Sequence, residues 1–290
     1  MSNLLIRSAT GIVFVAVIVG ALLYGPVSSA ILYAVIGALT VWEFGRNLDR
    51  SKTYATTGIL SAALSLAIIY TAYTFAAGAA LFTPFNLAAY SAVGLVLAVA
   101  LLVDSLTPGN EQSYHGWANA FAAQLYITLP MVLLITMSYP EDGAAGAAGY
   151  SAAVPLSIFV LIWSNDTGAY CVGSLLHKRF PTRLAPHISP NKSWVGTIGG
   201  GVLCLLVSLI LWHAFGQPHA LPVWIGFALV VSVFGTLGDL VESKFKRTLG
   251  IKDSGHILPG HGGMLDRFDS LLLTVPAIKV YLTVAALITG

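Results

Sequence analysis

Charged side chains are scarce in this sequence: Asp, Glu, Lys and Arg make up 9% of its 290 residues, whereas hydrophobic residues make up 57%. In an ordinary soluble domain about a quarter of the residues are charged. The mean hydropathy of +0.82 points the same way. The scarcity of charge therefore excludes an ordinary soluble domain and predicts an integral membrane protein.

Cysteine is almost absent, with only Cys171 and Cys204 in the chain. The two are not spaced as a Cys-x-x-Cys pair, so the sequence indicates neither a disulfide framework nor a cysteine zinc site. The net charge of +2 is also small. Nucleic-acid-binding proteins concentrate basic charge on one surface, so we expect no nucleic-acid partner.

Long apolar runs, by contrast, are frequent. An α-helix needs roughly 17 to 25 apolar residues to cross about 30 Å of hydrocarbon. Such runs lie near residues 8–24, 28–45, 57–77, 86–103, 118–137, 151–173, 195–215, 222–242 and 270–289. The sequence therefore predicts an all-α, polytopic transmembrane helix bundle of about nine spans.

The positions of lysine and arginine indicate how this bundle is oriented, because both accumulate in cytoplasmic connections. With the N-terminus in the cytoplasm, every basic residue except Lys279 falls in a cytoplasmic segment. We therefore expect a cytoplasmic N-terminus and, after nine spans, a C-terminus on the opposite side.

The two halves of the chain differ in polar content. Residues 1–150 are mostly apolar or small and are predicted to form transmembrane scaffold helices. Residues 151–290 hold a polar step within a span (Asn165, Asp166 and Thr167), the basic loop 177–194 and the connection 243–269. Ionisable residues inside a span are functional candidates by default. The second half is therefore predicted to be the catalytic region, with its polar site facing the cytoplasm.

The connection 243–269 has the most distinctive composition in the chain. It combines five basic residues, three aspartates, two histidines and five glycines between two apolar segments. Long connections in compact proteins are usually functional or disordered. This mixture favours a site for phosphate chemistry with a metal.

Two pairs of carboxylates flank that connection. Asp239 with Glu242, and Asp266 with Asp269, are each three positions apart, which places each pair on one helix face. Mg²⁺ typically takes one or two protein carboxylates together with phosphate oxygens and water. Asp239 and Asp266 are the preferred metal pair.

Simpler interpretations of these acidic residues remain open. Glu242 lies four positions before Lys246, so an ion pair between them at a helix end explains Glu242 as well as a functional role does. Arg267 is similarly placed to neutralise the aspartates on either side of it.

Gly262 and Gly263 follow His261 directly. Glycine lets the backbone turn tightly and point N–H groups at phosphate oxygens, and the helix predicted to follow would add an anion-attracting N-terminus. His261 is a candidate phosphate or metal contact, although a lone histidine is more often a hydrogen-bonding loop residue.

Lys192 lies between Ser189 and Ser193, just before an apolar span. A point charge among hydroxyl and amide donors fits a triphosphate. Lys178 and Arg179, earlier in the same loop, are explained as well by lipid headgroups.

These residues resemble the phosphatidate cytidylyltransferases, also called CDP-diacylglycerol synthases. The resemblance is carried by Ser243, Lys246-Arg247, Lys252-Asp253, His261-Gly262-Gly263 and Asp266-Arg267-Phe268-Asp269. Segments 166–170, 189–194 and 238–243 are also similar, so the likeness covers roughly residues 163–275. Val195 stands where the family usually has glutamate, and no acidic role is expected there.

The resemblance implies transfer of a cytidylyl group from CTP to phosphatidate, giving CDP-diacylglycerol and pyrophosphate in phospholipid biosynthesis. It implies Mg²⁺ held by Asp239, Asp266 and Asp269, and leaves open a second cation, divalent or monovalent. The remaining catalytic residues that it implies are Lys246 and Arg267. The implied substrate-binding residues are Asp166, Ser189, Lys192, Ser193, Ser243, Arg247, Lys252, His261, Gly262 and Gly263.

The implied partners are CTP, phosphatidate and membrane lipids, and a homodimer is left open. The implied location is a bacterial inner membrane, with the site on the cytoplasmic side. Two alternatives remain. A CTP-dependent polyprenol or dolichol kinase would share the membrane setting and the nucleotide. An ion-coupled transporter would also place carboxylates in spans, although nearer to mid-membrane.

Overall fold

The computed structural model describes residues 3–48, 54–78, 113–139, 149–176, 178–215, 220–258, 260 and 262–289, and five single positions between 91 and 102. These residues are almost entirely α-helical, as the sequence predicts. They divide into two compact units. The first unit is Met1–Ala152 with Asp253–Arg267, and the second is Ala153–Lys252 with Phe268–Gly290. The polar connection 243–269 therefore contributes residues to both units.

The first unit contains five α-helices in the described residues. They are α1 (Asn3–Tyr24), α2 (Pro26–Leu48), α3 (Tyr54–Ala76), α4 (Ser113–Ala123) and α5 (Leu129–Met137), with a π-helical turn over Gln124–Thr128 between the last two. Gly25 has a φ of 148°, and it separates α1 from α2 because this conformation does not continue a helix. Pro26 then occupies the first turn of α2, where its missing N–H is tolerated.

The core of the first unit is apolar with a few internal hydrogen bonds. Leu22, Tyr33, Met131 and Leu134 are completely buried. The Thr128 hydroxyl, in the π-helical turn, donates to the Ser65 hydroxyl of α3 at 2.9 Å. Such bonds between helices satisfy polar groups that hydrocarbon cannot.

The second unit contains α6 (Ala153–Leu176), the strands β1 (Arg183–Ala185) and β2 (Ser189–Ser193), α7 (Trp194–Ala214), α8 (Leu221–Thr248) and most of α9 (Leu265–Thr289). The antiparallel hairpin pairs Arg183 with Ser193 and Ala185 with Ser189. The sequence predicted only a basic loop here. Strand pairing provides hydrogen-bond partners for the backbone of this segment. Its polar composition does not indicate strands.

Six helical segments of the described residues are long and apolar enough to cross a membrane. They are Pro26–Leu48, Gly58–Ala76, Gly116–Met137, Trp194–Ala214, Leu221–Thr248 and Leu265–Ile288. The predicted span 8–24 corresponds to the apolar stretch Ser8–Tyr24 of α1, and the predicted span 151–173 corresponds to α6, which carries the polar step. The predicted span 86–103 lies outside the continuously described residues. An all-α membrane protein is thus confirmed, whereas the count of nine and the orientation stay predictions.

Candidate active site

Three carboxylates of the second unit lie together where α8 and α9 pack. Oxygen atoms of Asp239, Glu242 and Asp269 all lie within 4.8 Å of one another. Asp239 and Glu242 share one face of α8 because they are three positions apart. Gly238 lets α9 approach closely, since a β-carbon there would lie only 2.7 Å from the Asp269 carbonyl oxygen. We call these three residues the carboxylate cluster.

Two lysines partly neutralise the carboxylate cluster. Lys192 forms an ion pair with Asp239, and the Lys246 Nζ lies 2.7 Å from the Glu242 Oε2. Three carboxylates matched by two ammonium groups keep one excess negative charge. Two like charges 4 Å apart repel by about 4 kcal/mol at an effective dielectric of 20. The donor set, all oxygen and net negative, therefore fits a hard divalent cation such as Mg²⁺.

A pocket of about 830 Å³ opens in the same unit. This volume lies within the usual range for small-molecule sites. Its polar lining comes from α6, the turn that follows α6, the hairpin, α7 and α8. The polar lining residues are Asn165, Asp166, Tyr170, Ser174, Lys178, Arg183, Asn191, Lys192, Ser193, Thr197, Thr236 and Asp239. Lys192 and Asp239 also belong to the ion pair above, so one wall of the pocket is continuous with the carboxylate cluster.

Close packing of α6 against α7 shapes the pocket wall. A β-carbon at Gly200 would lie 2.5 Å from the Asn165 carbonyl oxygen, and one at Gly196 would lie 2.8 Å from that of Ala169. Small residues permit this approach between membrane helices. The buried Asn165 side chain accepts a hydrogen bond of 2.8 Å from the Ser232 hydroxyl of α8. Two residues of the polar step of α6 therefore have different roles. Asn165 joins α6 to α8, and Asp166 lines the pocket.

The hairpin places the predicted phosphate-binding residues differently. Lys192 lies in β2 and reaches Asp239. The Ser193 hydroxyl accepts the Gly196 N–H at 3.2 Å and so forms the N-cap of α7. Ser189 pairs with Ala185 at the turn end of the hairpin. Lys192 therefore has the most direct connection to the carboxylate cluster.

The part of the signature at the end of α8 lies beside the carboxylate cluster. The Ser243 hydroxyl donates to the Asp239 Oδ1 at 3.1 Å. Arg247 is exposed, and its Nη1 donates to the Ile251 carbonyl at 3.3 Å. Lys252 is exposed at a bend. Of these residues, Ser243 has the clearest positioning contact.

The next part of the signature belongs to the first unit, where it folds around Glu43. The Ser254 hydroxyl donates to the Glu43 Oε1. The Met264 N–H donates to the Glu43 Oε2 at 2.8 Å, and the Leu265 N–H donates to the Oε1 at 3.3 Å. The Asp266 Oδ2 accepts N–H groups from Ser254 at 2.9 Å and Gly263 at 2.8 Å. We call Glu43, Ser254, Met264, Leu265 and Asp266 the Glu43 network.

This arrangement changes the interpretation of the glycine motif. Gly262 has a φ of 86°, a conformation that favours glycine. The N–H of Gly263, expected to point at phosphate, donates to Asp266 instead, and the N-terminus of α9 faces the Glu43 carboxylate. A β-carbon at Gly263 would overlap the Glu43 carboxylate. These glycines therefore make room for a protein carboxylate.

The remaining predicted residues have different outcomes. His261 lies outside the described residues. Arg267 is exposed on α9. Asp266 belongs to the first unit and Asp239 to the second, and the structure describes each within its own unit. Their pairing as metal ligands stays a prediction.

Two residues were missed or undervalued by the sequence reasoning. The spacing of Glu242 fits either an ion pair with Lys246 or a functional role. In the structure Glu242 forms that ion pair and also belongs to the carboxylate cluster. Glu43 lies in the first half, for which the sequence predicts only scaffold helices. The signal was present: Glu43 is an acidic residue within an apolar run, which the rule applied to Asp239 would have marked.

Comparison with known proteins was informative over nearly the whole chain. The sequence pattern of the cytidylyltransferase family matches residues 5–285. The phosphatidate cytidylyltransferase of Staphylococcus haemolyticus (strain JCSC1435) is 32% identical over 279 residues, which are 96% of this chain and 98% of that protein. Those of Staphylococcus aureus (strain COL) and Staphylococcus epidermidis (strain ATCC 35984) are 46% and 47% identical over 127 and 129 residues, 44% of this chain and 48% of either protein.

Proposed function

Since the chain belongs to the cytidylyltransferase family, we propose that it transfers the cytidylyl group of CTP to phosphatidate, forming CDP-diacylglycerol and pyrophosphate. The observation that carries this proposal is the carboxylate cluster, with its two lysines, beside a pocket of about 830 Å³. Phosphatidate cytidylyltransferase is also the name of the relatives described above.

The reaction is a substitution at phosphorus. A phosphate oxygen of phosphatidate attacks the α-phosphorus of CTP and forms a new P–O bond. The bond from the α-phosphorus to the oxygen that bridges to the β-phosphate breaks, and pyrophosphate leaves with that electron pair. The attacking oxygen is already an anion, so no general base is needed. Phosphoryl-type transfer then depends on positioning and on neutralisation of charge.

Asp239, Glu242 and Asp269 would hold Mg²⁺ through their oxygen atoms. When bound, Mg²⁺ supplies neutralisation of phosphate charge and polarises a phosphate oxygen. Asp266 and Arg267 remain further candidates because the family signature includes them. The proposed metal set therefore adds Glu242 to the aspartates that the sequence indicated.

The basic residues around the pocket would bind the phosphates of CTP. Lys178, Arg183 and Lys192 line it, with Asn191 and Thr197 as hydrogen-bond donors. Lys246 forms an ion pair with Glu242 of the carboxylate cluster. These positive charges offset the repulsion between a triphosphate and a lipid phosphate that must approach each other.

The proposal includes the membrane arrangement. Nine spans with a cytoplasmic N-terminus would place Lys192, Lys246 and the carboxylate cluster at the cytoplasmic face of a bacterial inner membrane, where CTP is available. Exposed apolar side chains of the second unit, among them Trp194, Ile198 and Leu206, would face lipid.

The test is pyrophosphate release by the purified protein in mixed micelles that contain phosphatidate. We expect release that requires CTP, phosphatidate and Mg²⁺ together, and that Asp239→Asn abolishes. Lys244→Gln is the matched control, because Lys244 is exposed on the same helix. Folding of each variant is checked by its thermal unfolding midpoint.

No release from folded wild-type protein with both substrates and Mg²⁺ would refute the proposal. Release of CDP from CTP with a polyprenol acceptor would instead indicate a lipid kinase. Substrate-dependent ion flux in liposomes, without turnover of CTP, would indicate a transporter.

A further inference from the structure

The buried carboxylate of Glu43 lies in a helix that the sequence marked as scaffold. Only 4% of the residue surface is exposed. A buried charge is unfavourable unless donors surround it, and Glu43 has three: one hydroxyl and two backbone N–H groups. All three belong to the segment between Ser254 and Leu265. Glu43 is therefore dedicated to holding this segment.

Two of those donors lie at the start of α9, because Met264 directly precedes the helix and Leu265 is its first residue. The N–H groups at a helix start have no partner within the helix, and the partial positive charge there attracts an anion. The Glu43 carboxylate supplies that anion for Met264 and Leu265. The next N–H, that of Asp266, donates to the Ser254 hydroxyl oxygen at 3.3 Å. Glu43 and Ser254 together thus cap α9.

Ser254 links Glu43 to Asp266. Its hydroxyl donates to Glu43, and its N–H donates to the Asp266 Oδ2. Its carbonyl accepts the Asn47 side-chain N–H at 2.7 Å, one turn further along α2. Ser254 therefore ties the position of the Asp266 carboxylate to α2.

Glycines make this arrangement possible. A β-carbon at Gly255 would lie 2.7 Å from the Glu43 Oε2, and one at Gly263 would overlap the carboxylate. The backbone at Gly255 and at Gly263 thus lies against the Glu43 side chain. Neither position has room for a residue with a β-carbon.

We propose that Glu43 is a positioning residue: it caps α9 and fixes Ser254, and thereby holds the carboxylate of Asp266 in the orientation that the transferase reaction requires. The inference rests on the proposed function, in which Asp266 is a site residue. Glu43 is buried, and its oxygens already accept three protein donors. Its effect on activity passes through Ser254 and Asp266.

Glu43→Gln is the most direct test, because it keeps the shape but replaces one accepting oxygen with a donating NH₂ group. Thr40→Val is the matched control, since Thr40 is buried on the same helix and its hydroxyl donates only within that helix, to Ile36. We measure kcat, the thermal midpoint, and hydrogen exchange of the amides of residues 254 and 263–266 in micelles.

For Glu43→Gln we expect kcat to fall about tenfold or more and these amides to exchange faster, with neither change in Thr40→Val. Ser254→Ala should reproduce both effects with Glu43 intact, which covers the case in which Glu43→Gln does not fold. When Asp266→Asn is combined with Glu43→Gln, kcat should fall little below that of Asp266→Asn alone, because residues acting through one another are not additive.

Wild-type exchange and kcat in Glu43→Gln, or multiplicative effects in the double variant, would overturn the inference. If Thr40→Val lost as much kcat and amide protection as Glu43→Gln, the role of Glu43 would be general packing. That result would also overturn the inference. If the wild type releases no pyrophosphate, the proposed function fails, whereas the exchange measurement still decides whether Glu43 holds this segment.

Discussion

The described residues contain two groups of carboxylates, one in each unit, and the surroundings of the two groups differ. In the carboxylate cluster, three acidic side chains lie within 4.8 Å of one another with two lysines against them. In the Glu43 network, the Glu43 and Asp266 carboxylates accept backbone N–H groups and a hydroxyl. The carboxylate cluster keeps an unbalanced negative charge. In the Glu43 network, hydrogen bonds within the protein offset the negative charge.

Acidic residues of membrane helices can be compared by what their oxygens contact. Both oxygens of Glu43 are occupied by a hydroxyl and two backbone N–H groups, so Glu43 stabilises the fold, because hydrogen bonds offset its burial. Asp266 also accepts backbone N–H groups, and it stays a site candidate because the family signature includes it. Carboxylates that crowd one another reduce stability, and such an arrangement is typical of functional sites. Both groups contain residues of the same family signature, so the signature alone does not make this distinction.

The largest expected effect separates the two groups by activity and stability. Asp269→Asn should lower kcat at least about 100-fold, because several kcal/mol of charge stabilisation depend on a bound cation. Its thermal midpoint without Mg²⁺ should equal or exceed that of the wild type, since one repelling charge is removed. Pyrophosphate release and thermal unfolding with and without Mg²⁺ test this.

Mg²⁺ should raise the midpoint of the wild type but not that of Asp269→Asn, because only a bound ligand stabilises the folded state. Near-wild-type turnover in this variant, or loss of its folded form without Mg²⁺, would contradict the functional assignment of the cluster.

A second prediction concerns stability alone. Gly263→Ala should destabilise the protein by about 1–3 kcal/mol, because its β-carbon would displace the Glu43 carboxylate from a packed site. Gly20→Ala is the matched control: no heavy atom lies within 4 Å of a β-carbon there, and alanine favours a helix. Denaturant unfolding in micelles compares the two. Equal stability of both variants would show that the Glu43 network is loosely packed.

The smallest predicted effect compares two lysines on α8. Lys246→Gln should lower kcat/KM for CTP about tenfold, since a hydrogen bond to a charged group contributes roughly 1.5–3 kcal/mol. Lys244→Gln should stay within about twofold, because Lys244 is exposed. Steady-state kinetics at fixed phosphatidate measure both. If the two variants lose equally, the lysines act through the general positive charge of the segment rather than through the Glu242 pair.

Much of the fold follows from hydropathy and helix spacing. Eight of the nine predicted apolar runs coincide with helices. In hydrocarbon the backbone N–H and C=O groups find no water, and a helix of about 20 residues pairs them all within one segment. The helix over Leu265–Thr289 contains the predicted run 270–289 and begins five residues before it. The hairpin over residues 183–193 was missed, since short polar strands carry no hydrophobic alternation.

The carboxylate cluster was predicted in part, and its role as the active site stays a prediction. The sequence identified Asp239 and Asp269 by their charge within or beside spans, and both belong to the carboxylate cluster. Glu242 was left between two interpretations, because helical spacing is the same for an ion pair and for a metal ligand. The structure brings it into both arrangements.

Composition and helical periodicity are enough to identify an all-α membrane protein whose polar residues concentrate around the family signature, because both are local properties of the chain. Which carboxylates meet depends on tertiary packing. Glu43 and Ser254 are 211 positions apart, and the Oγ of one donates to the Oε1 of the other. Lys192 reaches Asp239 only through the hairpin. Contacts between distant segments depend on how helices pack, and close packing at Gly200, Gly238 and Gly263 decides that arrangement.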